Sequence, residues 1–285
     1  MVKNNSIIKP FLKWVGGKRQ LLAVIKKSLP KVINNYIYYE PFIGAGALFF
    51  ELQPQKAVIN DYNEQLILTY NVIKEKVGDL VILLKEYQKK NDKEYYYEIR
   101  NTDRDLVKFN TLTNIEKAAR LIFLNKTCFN GLYRVNSKGF FNVPYGKYKN
   151  PAICEEILLQ QISNYLNSNK INIINSDFEQ AVSTADKKSF IYFDPPYHSP
   201  YKNNFTGYQA NGFNDSEQER LCNVMIKMTN LGVKCLLSNS DTEYIRELYA
   251  HNFFEIVSVQ AKRAINSDSA GRGTVNEVLI KNWKD

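Results

Sequence analysis

The sequence predicts an α/β protein with a mostly parallel, doubly wound sheet, helices on both of its faces, and an inserted, mainly helical module that carries a β-hairpin. Two observations support this fold class. Short apolar strands alternate with helical patterns towards both ends of the chain, which is typical of a sheet covered by helices. A middle stretch of different composition separates these two parts. The length of 285 residues suits about two domains.

The first predicted strand, Tyr36–Glu40, is apolar and aromatic and ends at Pro41, which favours extended backbone before it. A glycine turn at residues 44–46 then opens an apolar helix that runs to about Leu52. Further strands are predicted at Lys56–Asn60, Ile171–Ile174, Ser189–Phe193, Val233–Leu237, Phe254–Val259 and Val275–Ile280. Helical patterns fall at Glu217–Met228 and Asp241–Ala250.

The middle stretch begins with helices and ends with loops. Helical patterns are predicted at Ile67–Lys74, Leu80–Lys90 and Ile115–Leu124. Residues 125–150 are rich in Asn, Gly, Tyr and Lys, which indicates loops and a hairpin. We therefore assign residues 1–65 and 167–285 to one domain and residues 66–166 to an inserted domain.

Composition narrows the class of protein. The chain carries 38 Lys and Arg against 29 Asp and Glu, a net charge of +9, with 13% aromatic residues. A basic, aromatic chain suits nucleic acid, although a lysine-rich surface has the same signature. No apolar run approaches the roughly 20 residues of a membrane helix, and no signal-peptide stretch opens the chain, so we expect a cytoplasmic protein. Four scattered cysteines and two histidines give no metal-ligand spacing.

The sharpest motif is Asp194-Pro195-Pro196-Tyr197, directly after the apolar strand Ser189–Phe193. A parallel strand delivers the residues at its carboxyl end to the ligand crevice. The prolines fix the backbone and offer carbonyls without competing N–H donors. The Asp194 carboxylate and the Pro195 carbonyl thus form a rigid set of acceptors beside an aromatic ring, which suits an exocyclic amine. An ordinary Pro-Pro turn is the alternative.

A second motif, Glu40-Pro41-Phe42-Ile43-Gly44-Ala45-Gly46, joins the first strand to a helix. Its glycines let a ligand approach the backbone closely. Phe49 stands where G-x-G-x-x-G needs its third glycine, so a nucleoside fits better than a dinucleotide. Asp61 ends the next strand, where an acidic group can accept from ribose hydroxyls; a turn-forming Asp is the alternative.

A third motif spans residues 11–19, Phe-Leu-Lys-Trp-Val-Gly-Gly-Lys-Arg. It is not a phosphate loop, because Leu12 occupies the position of the first glycine and Arg19 that of the final hydroxyl residue. Trp14 and Lys18 could cover a ligand that bears a carboxylate. The alternative is that the tryptophan anchors the N-terminal segment on the core.

These motifs, in this order, resemble the Dam-type DNA adenine-N6 methyltransferases, which use S-adenosylmethionine. The resemblance covers nearly the whole chain and includes the long segment Asn-Lys-Thr-Cys-Phe-Asn-Gly-Leu-Tyr-Arg at 125–134. The order of cofactor loop, recognition insert and catalytic loop is that of the alpha group, and the middle segment is most similar to the GATC-methylating branch. The resemblance implies a Rossmann-like methyltransferase sheet whose insert recognises double-stranded DNA.

The resemblance also implies roles for individual residues. Asp61 would bind the ribose, Asp177 the adenine amino group and Phe178 the adenine ring of the cofactor. The implied cofactor-binding set is Trp14, Lys18, Glu40, Phe42, Gly44, Ala45, Gly46, Asp61, Asp177, Phe178 and Asp194. The implied catalytic set is Asp194, Pro195, Pro196 and Tyr197, which would receive an adenine flipped out of the duplex. His198 is interpreted as a loop residue, and no metal is needed.

The hairpin is expected to recognise the DNA sequence. In the family, the arginine that matches Arg134 reads a guanine, which suits its bidentate fork; Leu132 and Tyr133 would wedge or stack, and the lysines would contact phosphates. The predicted DNA-binding set is Asn130, Leu132, Tyr133, Arg134, Lys138, Lys147, Lys149 and Arg272. Two polar loops, at 198–213 and 267–272, are expected to face the flipped base and the phosphates.

Two other functions compete with this interpretation. An amino methyltransferase for RNA or a protein side chain would keep the cofactor loop and the acceptor cluster, but not the specific middle segment. A DNA-binding protein that has lost catalysis would not need to keep a suitable residue at every proposed catalytic position, as this sequence does.

A cognate restriction endonuclease could act on the same DNA site as this protein, without forming an obligatory complex with it.

Overall fold

The computed structural model describes residues 8–14, 21–199, 212–262 and 274–284. Of the predicted site residues, Lys18 and Arg272 lie outside these ranges. The predicted loop at 267–272 and most of the loop at 198–213 also lie outside them.

The described chain contains a seven-stranded sheet. Its strands are β1 (Ile37–Glu40), β2 (Lys56–Asn60), β3 (Lys170–Ile174), β4 (Ser189–Phe193), β5 (Lys234–Ser240), β6 (Glu255–Lys262) and β7 (Thr274–Lys281). The order is β3-β2-β1-β4-β5-β7-β6. Strands β1 to β5 pair in parallel, and β7 runs antiparallel to β5 and β6. The predicted α/β fold class and all seven predicted strands are confirmed, with ends shifted by up to three residues.

The strand order predicts where a ligand crevice lies on this sheet. From β1 the chain builds outward in one direction through β2 and β3, and in the other direction from β4. Parallel sheets bind ligands outside the carboxyl ends of the strands at such a reversal. The residues at this point are Glu40, which ends β1, and Asp194, which follows β4. The two sharpest sequence motifs therefore meet at the expected crevice.

Ten α-helices lie in the described ranges. They are α1 (Leu22–Lys27), α2 (Ala47–Leu52), α3 (Glu64–Lys89), α4 (Lys93–Asn101), α5 (Leu106–Thr111), α6 (Asn114–Thr127), α7 (Glu156–Ser168), α8 (Phe178–Ala181), α9 (Asp215–Asn230) and α10 (Glu243–Leu248). Single 3-10 turns occur at Ile33–Asn35, Thr102–Arg104 and Phe129–Gly131. Every helix in these ranges is too short or too polar to span a lipid bilayer.

The inserted segment departs from the prediction in its helices, because α4, α5 and α7 are not among those predicted. The two predicted helices at 67–74 and 80–90 are one helix, α3, which bends at Lys76, where φ is −136° and ψ is 34°. Its first turn is capped by Asn63, whose side chain accepts a hydrogen bond from the Leu66 N–H. Helix α6 starts with a capping box between Thr113 and Glu116.

Each face of the sheet buries one hydrophobic cluster. On one face, Tyr38, Phe190 and Tyr192 pack with the inserted helices α3, α6 and α7. On the other, Tyr39 and Ile191 pack with α9 and α10. Neighbouring residues of a strand point to opposite faces, which explains the assignment. The insertion therefore packs onto the sheet through the same cluster that covers its first face.

Candidate active site

The turn between β1 and α2 approaches a tryptophan closely. Gly44 and Gly46 have φ values of 47° and 71°, in the left-handed region that favours glycine. A Cβ atom at Gly44 would lie 2.9 Å from Cδ1 of Trp14. A side chain at this position would displace the indole. Gly44 therefore allows Trp14 to cover the turn, which brings the second and third sequence motifs together.

Glu40 is a buried acid in this crevice. Its side chain is 3% exposed and accepts a hydrogen bond of 2.7 Å from the Tyr38 hydroxyl. Burial raises the pKa of Glu40 well above its usual range; the hydrogen bond from Tyr38 opposes this shift, and the nearby Asp194 and Asp61 carboxylates add to it. Three carboxyl groups thus converge at one place, which favours a ligand that carries positive charge.

Asp61 is tied directly to the glycine turn. Its Oδ2 accepts from the Gly44 N–H at 3.0 Å, and its Oδ1 accepts from the Asn63 N–H at 2.9 Å. Burial raises the pKa of Asp61 to about 6, while these two backbone donors lower it. The side chain therefore lies beside a turn that can approach a ligand.

Asn60 joins the ends of three parallel strands. Its Nδ2 donates to the Pro41 carbonyl at 2.9 Å and to the Ser176 carbonyl at 3.1 Å. Its Oδ1 accepts from the Ser176 N–H at 2.8 Å. These bonds hold the segments after β1 and β3 against the end of β2. The groups that line the crevice therefore lie on fixed backbone.

Asp177 and Phe178, which follow β3, share one partner on α9. Arg220 donates to both Asp177 oxygens at 2.9 and 2.7 Å, and its guanidinium carbon lies 4.1 Å from the centroid of the Phe178 ring. Although burial raises the pKa of Asp177, the hydrogen bonds from Arg220 hold it below its usual range. Asp177 is thus an ionised acceptor of fixed orientation.

A narrow cleft opens beside this pair. The Phe42 and Phe178 rings lie 5.4 Å apart, and Phe213 meets Phe42 edge-on at 5.7 Å. The residues that line the cleft are Pro41, Phe42, Asn60, Tyr62, Ser176, Asp177, Phe178, Phe213 and Glu217. Sequence reasoning missed Tyr62, Phe213 and Arg220 as part of this site. Aromatic walls with a carboxylate at one edge suit a purine ring that bears an amino group.

The Asp194–Tyr197 turn is held by the neighbouring strand and helix. Ser238 of β5 donates to Asp194 Oδ1 at 2.9 Å, and Gln218 of α9 donates to the Pro196 carbonyl at 3.0 Å. The Tyr197 hydroxyl donates to Glu277 of β7 at 2.8 Å. Burial, and then the charge of Asp194, raises the pKa of Tyr197 well above its usual range. The tyrosine is therefore a neutral aromatic surface at working pH.

His198 is engaged by groups that hold the turn. Its N–H donates to Asn239 Oδ1 at 3.0 Å, and its Nδ1 lies 2.9 Å from the Thr242 hydroxyl. Its ring stacks on Tyr244 with centroids 4.7 Å apart. These contacts suit the loop residue that the sequence predicts.

The N-terminal motif is clamped to the hairpin segment by Asn125. Its Oδ1 accepts from the Lys13 N–H at 2.9 Å, and its Nδ2 donates to the carbonyls of Lys13 and Gly131 at 2.7 and 3.0 Å. One residue further, Trp14 stacks on Tyr133 with ring centroids 4.9 Å apart. Tyr133 is only 8% exposed, so it forms part of the wall behind the glycine turn.

The hairpin pairs at two isolated antiparallel bridges, Val135 with Phe141 and Cys128 with Tyr145. Arg134 is exposed, and its Nε donates to Asn142 Oδ1 at 2.8 Å. Of the other predicted DNA-binding residues of this segment, Tyr133 is buried, three are exposed and two are half-buried: Lys138, Lys147 and Lys149, and Asn130 and Leu132. The predicted DNA-binding groups of this segment therefore differ in exposure, and Arg134 is among the most accessible.

Buried polar contacts brace the hairpin from behind. Asp103 Oδ2 accepts from the Phe141 N–H at 2.8 Å and from Arg120 at 2.8 Å. Burial lowers the pKa of Arg120, and Asp103 opposes that shift. The Tyr96 hydroxyl donates to the Val143 carbonyl at 2.8 Å. Helices α4 and α6 thus fix one strand of the hairpin, and the other side remains exposed.

The chain is similar in sequence to known proteins. Residues 14–265 match the model of the D12 class N6 adenine-specific DNA methyltransferase family. The chain is 45% identical over 282 residues to Type II methyltransferase M1.LlaDCHI of Lactococcus lactis subsp. cremoris, covering 99% of this chain and 98% of that protein. It is 43% identical to Type II methyltransferase M.MjaIII of Methanocaldococcus jannaschii, covering 97% and 99%. It is 34% identical to the DNA adenine methylase of Salmonella typhi, covering 94% and 93%.

Proposed function

Because the chain belongs to the D12 class of N6 adenine-specific DNA methyltransferases, we propose that its Asp194–Tyr197 turn is the site at which adenine N6 is methylated. The enzyme uses S-adenosylmethionine as its methyl donor and DNA as its substrate. The observation that carries the proposal is the position of Asp194, after β4 at the reversal of the strand order, beside the glycine turn and Glu40.

The residues around the glycine turn fit S-adenosylmethionine. When bound, this cofactor supplies an electrophilic methyl group on a positively charged sulfur. The converging carboxyl groups of Glu40, Asp61 and Asp194 would favour that charge. Asp61 would accept from the ribose hydroxyls, and the cleft between Phe42 and Phe178 would hold the adenine ring. Trp14 and the 44–46 turn would enclose the methionine end.

Adenine N6 is a weak nucleophile, because its lone pair is delocalised into the ring. The Asp194–Tyr197 turn would make this nitrogen more reactive. The adenine must first leave the duplex. The Asp194 carboxylate and the Pro195 carbonyl would then accept the two N–H groups of the amine and orient its lone pair. Tyr197 would stack on the base, and Pro196 would fix the backbone between Pro195 and Tyr197. The rate therefore depends on positioning and on fixed electrostatics.

The inserted domain, 66–166, would recognise the sequence. Arg134 uses Nε to reach Asn142, which orients the guanidinium, and a guanidinium can donate two hydrogen bonds to guanine O6 and N7. We propose that this guanine belongs to a GATC site. The exposed Lys138, Lys147 and Lys149 would contact phosphates, and Asn130 and Leu132 would lie beside the bases.

The recognition site can be tested by digestion. Duplex DNA treated with enzyme and S-adenosylmethionine is digested with nucleases that differ in their sensitivity to adenine methylation at GATC, and N6-methyladenine is measured by mass spectrometry. We expect protection at GATC and the appearance of N6-methyladenine. N6-methyladenine without protection at GATC would contradict the proposed site, and its absence with every DNA tested would contradict the proposed reaction.

Two further proposals concern the cell. Since two of the relatives are named Type II methyltransferases, we propose that a restriction endonuclease acts on the same site, without an obligatory complex. We also propose that the enzyme works in the cytoplasm. All four cysteines are free thiols, as expected in a reducing compartment.

A further inference from the structure

A buried hydroxyl on β5 lies against the catalytic carboxylate. Ser238 is 0% exposed, and its Oγ lies 2.9 Å from Asp194 Oδ1 and 3.0 Å from the Tyr192 hydroxyl. Strands β4 and β5 pair in parallel, with Phe193 opposite Leu237, so Ser238 is the next residue along, beside Asp194. The sheet itself therefore sets this contact.

The hydrogen bonds have a defined direction when Asp194 is ionised. A carboxylate only accepts, and a serine hydroxyl has a single proton, so Ser238 donates that proton to Asp194. The Ser238 oxygen then accepts from the Tyr192 hydroxyl, which is buried and needs a partner. The chain of donation runs from Tyr192 through Ser238 to Asp194, so that Tyr192 fixes the serine and the serine fixes the carboxylate.

We propose that Ser238 is a positioning residue for methyl transfer, because it holds the Asp194 carboxylate in the orientation that accepts the adenine amino group. This inference rests on the proposed function of the Asp194–Tyr197 turn. The second side-chain torsion of an aspartate has a broad, roughly two-fold preference. A hydrogen bond from a residue fixed in the sheet restricts that rotation. Reaction rates depend steeply on such alignment.

A further consequence concerns the protonation of Asp194, which faces the Glu40 carboxyl group and the Tyr192 and Tyr197 hydroxyls, with Glu277 bonded to Tyr197. Hydrogen bonds donated to a carboxylate favour its charged form. Removing the Ser238 hydroxyl should therefore make Asp194 easier to protonate. A protonated Asp194 loses acceptor capacity for the amine, so the rate of methyl transfer should begin to fall at a higher pH than in the wild type.

The test compares Ser238→Ala with Ser163→Ala as a matched control. Ser163 is also buried, lies on α7 and donates to the Lys74 carbonyl at 3.2 Å. Single-turnover methyl transfer to duplex DNA is measured across pH, and binding of S-adenosylmethionine is measured by calorimetry. For Ser238→Ala we expect a rate lower by roughly 10- to 100-fold, an acid limb shifted to higher pH, and cofactor affinity within about twofold of wild type. Ser163→Ala should keep the wild-type rate and pH profile.

Two more variants separate positioning from a loss of folding. Ser238→Thr keeps the hydroxyl and should recover most of the rate. Ser238→Cys keeps the volume but has a weak donor, so it should share the lower rate and the shifted profile even if Ser238→Ala does not fold. A wild-type rate and pH profile in Ser238→Cys or Ser238→Ala would overturn the inference, as would a rate loss matched by an equal loss of cofactor affinity. If the wild-type enzyme itself forms no N6-methyladenine, the proposed function fails instead.

Discussion

The proposed catalytic turn after β4 and the proposed recognition hairpin at 125–150 are both supported by side chains behind them, but they present their functional groups differently. At the turn, buried side chains from β5 and α9 and the half-buried Glu277 of β7 engage Asp194, Pro196 and Tyr197. In the hairpin, the buried Asp103 and Arg120 hold the backbone, and Arg134 extends into solvent.

The difference follows from the two partners. An amine that must become a nucleophile needs acceptors that are desolvated and aligned before it arrives, because water would weaken and misorient them. A guanine edge in a groove is reached from outside, so the side chain that contacts it must be accessible, and only its backbone needs to be fixed. The same kind of buried polar support would thus serve chemistry in one region and sequence recognition in the other.

The largest effect is expected at the turn. Asp194→Ala removes one of the two proposed acceptors, and we expect methyl transfer to fall by about 10³-fold or more, with an unchanged circular dichroism spectrum and melting temperature. The assay is incorporation of labelled methyl groups into duplex DNA. Asp194→Asn keeps the shape but replaces one acceptor with a donor, so it should also be strongly impaired. Wild-type turnover in folded Asp194→Ala would refute the role of this residue.

The second largest effect is expected where the buried Asp103 and Arg120 support the hairpin. Asp103→Ala leaves the buried Arg120 without its carboxylate and the Phe141 N–H without its acceptor. We expect a loss of about 3 kcal/mol in the free energy of unfolding, measured by urea denaturation. The control is Glu156→Ala, which breaks the exposed pair with Lys85 and should cost much less, because solvent screens exposed ion pairs. Equal losses in the two variants would show that the buried pair gives no special support.

Arg134→Ala tests the exposed side of the hairpin. Without the guanidinium, we expect kcat/KM on GATC duplexes to fall by roughly 10- to 100-fold, as for the loss of one bidentate contact to a base. Duplexes in which the guanine is replaced should lose much less, so that specificity relaxes. Lys138→Ala is the comparison and should weaken both substrates alike. A uniform loss in Arg134→Ala would assign this residue to phosphate binding.

The smallest predicted effect concerns pH at the cofactor side of the crevice. Burial raises the pKa of Asp61 to about 6, so in the free enzyme the carboxyl group is mostly protonated at pH 5 and mostly ionised at pH 7. If ribose binding needs the ionised form, the apparent Kd for S-adenosylmethionine should fall by about tenfold over this interval. Calorimetric titration at each pH measures it, and Asp61→Asn should remove most of the slope. An unchanged slope in Asp61→Asn would assign the titration to another group.

The raised pKa of Asp61 also makes the free energy of unfolding depend on pH. Because the pKa of Asp61 is higher in the folded enzyme than in an unfolded chain, folding favours the protonated form. The contribution of this group to the free energy of unfolding is therefore fully present below about pH 4, and it declines as the pH rises towards 6.

The sheet was predictable from the sequence because its central strands are short, apolar and followed by turn residues. Helices were less predictable where burial is sparse. Helix α4 fully buries only Tyr96, and its other packed side chains, Tyr95, Tyr97 and Ile99, are half-buried. Helix α7 has an apolar stripe, since Leu159, Ile162 and Leu166 recur at helical spacing; that periodicity is the signal that could have found it. The bend at Lys76 interrupts the helical pattern of α3, so the sequence predicts two helices where there is one.

The motifs predicted which segments converge, but not the residues that support them. Ser238, Gln218 and Glu277 act through contacts between strands and helices that are distant in sequence, so no local spacing identifies them. Arg220 is separated from Asp177 by 43 positions. Only the register of the sheet and the packing of α9 bring these side chains to the site.

The adjacency of Tyr133 and Arg134 has a thermodynamic consequence. One of these neighbours stacks on the indole that covers the glycine turn, and the next extends towards the proposed guanine. A backbone shift at Arg134 on engaging the correct duplex would carry Tyr133 with it and alter the fit of Trp14 over Gly44. We therefore expect cognate duplex to increase the affinity of the enzyme for the methyl donor. The donor should increase the affinity for duplex by the same factor, because linkage between two binding equilibria is reciprocal.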